Sequence, residues 1–97
     1  MSLVNKSLRA SREIRNSRTR TTALVHLLTE VGELAQEVQI ADIGSYKQPS
    51  PDGIVGEAVD AILCILDIIY LHDPDITEEE LILIANKKIE KWKRTAK

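Results

Sequence analysis

The chain has 97 residues, 43% of them apolar, with no Phe, one Trp and two Tyr. One Cys excludes an internal disulfide framework and a cysteine-rich zinc site, and the longest apolar run, residues 61–71, is broken by Asp67 and too short to span a bilayer. The net charge of −2 is unevenly distributed: residues 1–20 carry six basic groups and one acidic, 21–80 one basic and thirteen acidic, and 81–97 six basic and one acidic.

A chain of this length reads as one domain, residues 1–97, with an aliphatic core that suits packed helices. Charges near the start are followed by no long apolar stretch, so the expectation is a cytoplasmic protein without a signal peptide or membrane segment. An acidic middle between basic ends suggests a site where metal and phosphate meet both signs of charge.

Residues 1–19 read as a basic arm or helix, with helical spacing over 3–17 and sparse apolar positions at Leu3, Leu8 and Ile14. Arg9, Arg12, Arg15 and Arg18 recur every three residues. They form either a solvated face or a phosphate or nucleic-acid contact, and the lack of interleaved aromatics argues against single-strand stacking.

Residues 20–97 form the core. Over 20–43, Leu24, Leu27, Leu28, Val31, Leu34, Ala35 and Val38 follow the i, i+3, i+4 pattern of a helix, with Gly44 as its stop. Residues 44–53 are a loop by composition. Residues 54–72 form the most apolar helix, and a helix apolar on nearly all faces needs a central position, a partner subunit or both. That predicts a homo-oligomer. Thr77 with Glu80 fits a capping box, opening a last helix over 78–95 with Leu81, Ile84, Ala85 and Ile89 facing inward. Its closing lysines and arginine suit the negative end of the helix dipole.

The chemistry-bearing residues are Glu30, Glu33, Glu57 and Asp60. Residues three apart are neighbours on a helix surface, so Glu30-x-x-Glu33 and Glu57-x-x-Asp60 each present two carboxylates one turn apart. Antiparallel packing of the two helices would bring all four together. Such a cluster is unfavourable without a cation, and an all-oxygen donor set suits Mg²⁺, with Mn²⁺ as substitute. The competing reading is a solvated acidic face. Against it, Glu57 and Asp60 open the most hydrophobic helix, where an unpaired acid is expensive. Gly32, inside the first of these helices, suggests close approach of a neighbouring helix or a ligand.

Glu-Val-Gly-Glu-Leu-Ala-Gln-Glu-Val, a loop, and Gly-Glu-Ala-Val-Asp-Ala-Ile-Leu, with 23 residues between Glu33 and Glu57, resemble the ExxE…ExxD signature of the MazG-like all-α nucleotide pyrophosphatases. The basic stretch from Ala85 to Arg94 is similar to the end of that family's last helix, so the resemblance covers residues 20 to 95. It implies an all-α, four-helix-type bundle assembled as a dimer or tetramer. It also implies hydrolysis of a (deoxy)nucleoside triphosphate to the monophosphate and pyrophosphate, with Glu30, Glu33, Glu57 and Asp60 as Mg²⁺ ligands. Phosphoryl-type transfer needs charge neutralisation, alignment and a positioned water, and Glu30 or Glu33 is the expected water-orienting carboxylate. Lys88, Lys91 and Arg94 are the candidate contacts to the phosphate tail.

Other residues carry two readings each. Glu37 extends the stripe of Glu33 as an outer carboxylate or a solvated one. Asp67, inside an apolar helix, needs a partner: a basic residue of the same or a second subunit, or a nucleobase donor. His26 pairs locally with Glu30 or assists near phosphate, and His72 closes a helix where a cation is favoured. No Glu-x-x-His pair is present, so a ferritin-like di-iron site is excluded. Trp92 and Tyr46 either pack or stack on a base. Cys64 reads as a small buried hydrophobe. The alternative function is a non-catalytic helical module whose arginine-rich start binds nucleic acid or an acidic partner. The intact set of four acids argues against it and against a pyrophosphatase fold without activity.

Overall fold

A computed structural model describes residues 1–44 and 47–96. It contains four helices: α1 (Leu3–Glu13), α2 (Arg20–Asp42), α3 (Gly53–His72) and α4 (Glu78–Thr95). No strand occurs among the described residues. Tyr46, one of the two residues read as either packing or stacking on a base, lies outside them.

Polar side chains set the helix ends. The Ser2 hydroxyl accepts from the Asn5 N–H at 3.1 Å and opens α1. α1 stops at Glu13, four residues before the expected end. Beyond it the Asn16 carboxamide accepts from the Arg18 N–H at 3.1 Å, a local bond that competes with helix continuation. Thr19 opens α2 through a reciprocal box with Thr22. At its end Ile43 and Gly44 both donate to the Gln39 carbonyl, with Gly44 at φ 91°. α4 begins at the expected Thr77 cap, whose hydroxyl accepts from the Glu80 N–H at 3.2 Å.

α2 and α3 pack antiparallel. Arg20 at the start of α2 meets His72 at the end of α3, and Glu33, further along α2, meets Glu57 near the start of α3, so partner numbers fall along α3 as they rise along α2. Buried or half-buried Ala23, Leu27, Glu30, Leu34 and Glu37 form the α2 side of the seam. Glu57, Ala61, Cys64 and Ile68 form the α3 side. α1 lies on α3, burying Ser7, Leu8 and Ser11; the small serines let the two helices approach closely. The N-terminal segment is therefore a docked helix. Arg12 holds it by donating to the Pro74 carbonyl at 3.1 Å and lying 5.6 Å over the Tyr70 ring.

α4 departs from expectation. Leu81, Ile84, Ala85 and Ile89 do not face a core: α4 has no buried residue and no packed interface with α2 or α3. α3, expected to be buried all round, leaves Ile54, Val55, Ile62, Leu63 and Ile65 exposed. Gly32 also departs, since a Cβ there would meet nothing within 4 Å. Within the helices, a glycine that does depend on having no side chain is Gly56, where a Cβ would stand 2.0 Å from that of Asp52.

Candidate metal centre

Antiparallel pairing of α2 and α3 brings the first turn of one acidic motif against the other. One carboxylate oxygen from each of Glu30, Glu33 and Glu57 falls within 4.8 Å of the other two. Asp60, one turn beyond Glu57, is exposed and stands outside this trio, although its charge acts on Glu57.

The trio is unequally buried. Glu57 is 9% exposed, the Glu30 side chain is 12% exposed and Glu33 faces solvent. One oxygen of Glu30 and one of Glu57 are shielded from water and accept no hydrogen bond. Buried polar atoms in folded proteins are almost always partnered, and an unpartnered one disfavours the fold. Burial, first of all, pushes the Glu57 carboxyl up from its ordinary range, followed by a shared hydrogen bond with Glu33 and the charges of Glu33 and Asp60. The Ser50 hydroxyl, 3.4 Å from Glu57, opposes that rise.

Ser50 anchors the loop beneath the acids. Its N–H donates to the buried Glu37 carboxylate, and its hydroxyl also accepts from the Gly53 N–H at 3.2 Å. Glu37 thus supports the chain that carries Glu57, a role its sequence spacing did not reveal. Ser50 itself was missed, since a serine in a loop carries no periodic signal.

Around the trio, His26 approaches Glu30 at 3.4 Å, as its i, i+4 spacing suggested. A cleft of about 260 Å³ beside it is lined by Arg18, Thr22, Ala23, His26, Cys64 and Asp67. Burial and the charges of Glu30, Asp67 and Asp60 push the Cys64 thiol up, so it stays protonated near neutrality. Asp67 finds its partner within the same chain: Arg18. Lys88, Lys91 and Arg94 are exposed on α4, and within one chain the structure does not bring them to the carboxylates.

No protein-family model matches the chain, nor does any curated protein or solved structure. Among the described residues no helix is long and apolar enough to cross a membrane.

Proposed function

We propose that the chain is a Mg²⁺-dependent nucleoside triphosphate pyrophosphohydrolase, converting a (d)NTP to the monophosphate and pyrophosphate and working as a homo-oligomer of the MazG-like kind. The observation that carries the reading is the orphaned Glu57 oxygen, buried among two further carboxylates on an antiparallel helix pair. The donor set fits a hard cation: oxygen only, convergent and under-compensated.

Glu30, Glu33 and Glu57 would hold the ion, with Asp60 available from the adjacent turn. A divalent cation bound there supplies charge neutralisation for the phosphates and a lowered pKa for water. Glu33, the most solvent-accessible of the trio, orients the attacking water and takes its proton, while Glu30 is held in place by His26. Ser50 and Glu37 fix the start of α3, so Glu57 is positioned before substrate arrives. The open cleft beside His26 leaves room for the rest of a nucleotide. Lys88, Lys91 and Arg94 serve the phosphate tail only if α4 of another subunit delivers them.

Of the five arginines in residues 9–20, Arg9 and Arg15 stay exposed and are what the binding-module alternative has left to use. Arg12, Arg18 and Arg20 are engaged inside the molecule, with Pro74, Asp67 and His72 respectively. Pyrophosphate release from a panel of canonical and damaged (d)NTPs with Mg²⁺ tests the reading. Release that requires Mg²⁺ and drops at least about a hundredfold in Glu57→Gln is expected. No release from any triphosphate by the folded protein would overturn it.

A further inference from the structure

The fold leaves α4 standing clear. Its first turn is tied to the start of the chain, where the Ser2 hydroxyl donates to the Glu78 carboxylate. Leu81 is half-buried, and from Ile82 to Ala96 every residue is exposed. Helices in proteins draw most of their stability from packing an apolar face, so a free-standing helix of 18 residues calls for a surface to lie on.

The side chains of α4 say what kind of surface. Leu81, Ala85, Ile89 and Trp92 follow at steps of four, four and three and so share one face, with Ile82 beside them. Ile89 is 45% exposed and Trp92, the chain's one tryptophan, 68%. At about 100° per residue, Lys88 and Lys93 fall along the two edges of this stripe, while Lys87, Lys91 and Arg94 fall on the far side. An apolar stripe carrying Trp, bordered and backed by cations, is the pattern of a helix that lies in the boundary between lipid headgroups and acyl chains. Trp suits that boundary because its ring is apolar and its N–H is polar. Among the described residues no helix is long and apolar enough to cross a membrane, so α4 would lie along the surface and not span it.

Charge fixes the sign of the surface and the orientation on it. Residues 81–97 carry six basic groups and one acidic, whereas residues 21–80 carry one basic and thirteen acidic. An anionic surface therefore attracts the C-terminal part of α4 and repels the body of the molecule. A helix is about 10–12 Å across and the screening length at physiological salt is about 8 Å, so even the far-side cations feel a charged plane beneath the stripe. Nucleic acid would use the cations and leave Ile89 and Trp92 in water, and the apolar stripe therefore favours lipid.

We infer that α4 docks on an anionic lipid surface, with Ile89 and Trp92 set into the headgroup boundary and Lys88 and Lys93 meeting lipid phosphates on either side. The inference uses no part of the carboxylate site, so its failure leaves the proposed function untouched.

Co-sedimentation of the full chain with vesicles of phosphatidylcholine alone, and of an equimolar mixture with phosphatidylserine, tests it. Trp92 emission is a second readout. The expected result is capture by the anionic vesicles with a blue shift of Trp92, little capture by phosphatidylcholine alone, and weakening as salt is raised. Ile89→Glu, and the double variant Lys87→Glu with Lys93→Glu, should each weaken capture about tenfold or more. Leu28→Glu, at a likewise exposed position on α2, should leave it unchanged. Circular dichroism checks that each variant keeps its helices, and should Ile89→Glu lose them, Trp92→Gln reads the same stripe by sedimentation. Absence of capture by anionic vesicles overturns the inference, as does capture that neither α4 variant weakens. A Trp92 shift that follows protein concentration and ignores vesicles overturns it in favour of a protein contact. Binding of a random-sequence duplex that only the lysine variant weakens, without vesicle capture, overturns it in favour of nucleic acid.

Discussion

Arg18 closes a two-pronged ion pair on Asp67, with Nε and Nη2 at 2.8 and 2.7 Å from the two carboxylate oxygens. The same guanidinium donates to the carbonyls of Ser11 and Ile14 at 2.9 and 3.1 Å. One side chain thereby fastens the end of α1 and the α1–α2 connection to the middle of α3.

Both partners are mostly shielded from water, so removing one strands the other. Asp67→Asn is expected to cost about 2 kcal/mol at neutral pH, between the values for surface and buried pairs. The Arg18 hydrogen bonds hold the Asp67 carboxyl below its ordinary 3.8. An acid with a depressed folded-state pKa stabilises the fold above its unfolded value and loses that contribution as pH falls through the folded one. The wild-type advantage over Asp67→Asn should therefore be constant from pH 7 to about 5 and shrink below about 4, as measured by urea unfolding at each pH.

Glu57 behaves in the opposite sense. Its carboxyl is raised, so without a cation its contribution favours the fold below its ordinary value of 4.5 and is lost as pH climbs through the raised one. In chelator at neutral pH, Glu57→Gln should melt above the wild type, and the gap should close in acid. Adding Mg²⁺ should reverse the order, since only the wild type gains a ligand that binds the folded state. Thermal melts over pH, with and without Mg²⁺, check all three statements.

Two glycines separate backbone need from sequence suspicion. Gly32→Ala meets open space and should stabilise by about 0.5–1 kcal/mol through helix propensity. Gly56→Ala drives a Cβ to 2.0 Å from that of Asp52 and should destabilise by about 1–3 kcal/mol. Chemical denaturation of the two single variants gives the contrast directly.

Cys64 is half-buried, and its thiol is pushed up by burial and three neighbouring carboxylates. Its reaction with a disulfide reagent at pH 7 should be at least about tenfold slower than that of a free cysteine, and should accelerate in denaturant. Rapid modification of the folded protein would contradict the placement of this thiol in the α2–α3 seam.

Periodicity and end signals made the helices legible. α2, α3 and α4 fall within a residue of their expected bounds because Thr77, Gly44 and the aliphatic stripes are local features. The ExxE and ExxD spacings likewise place Glu30, Glu33 and Glu57 together, since helix geometry and antiparallel pairing suffice for it. What depends on tertiary packing was not legible. The stripe on α4 looked inward-facing, but hydrophobic spacing says only that a face seeks cover, and it does not say which chain supplies it. The acid Asp67 announced a need for a partner without naming Arg18, 49 residues away. Ser50 supports two glutamates from a loop, where no periodic pattern exists.

The proposed function stands on a divalent cation held by Glu30, Glu33 and Glu57. Mn²⁺ binding followed by paramagnetic resonance, with Mg²⁺ as competitor, reads that site without any substrate. Saturable binding that Mg²⁺ displaces, lost in Glu57→Gln and retained in Asp67→Asn, is the result expected. Binding that is absent in the folded wild type, or unchanged in Glu57→Gln, would contradict the claim and leave the three carboxylates as an acidic face without a metal.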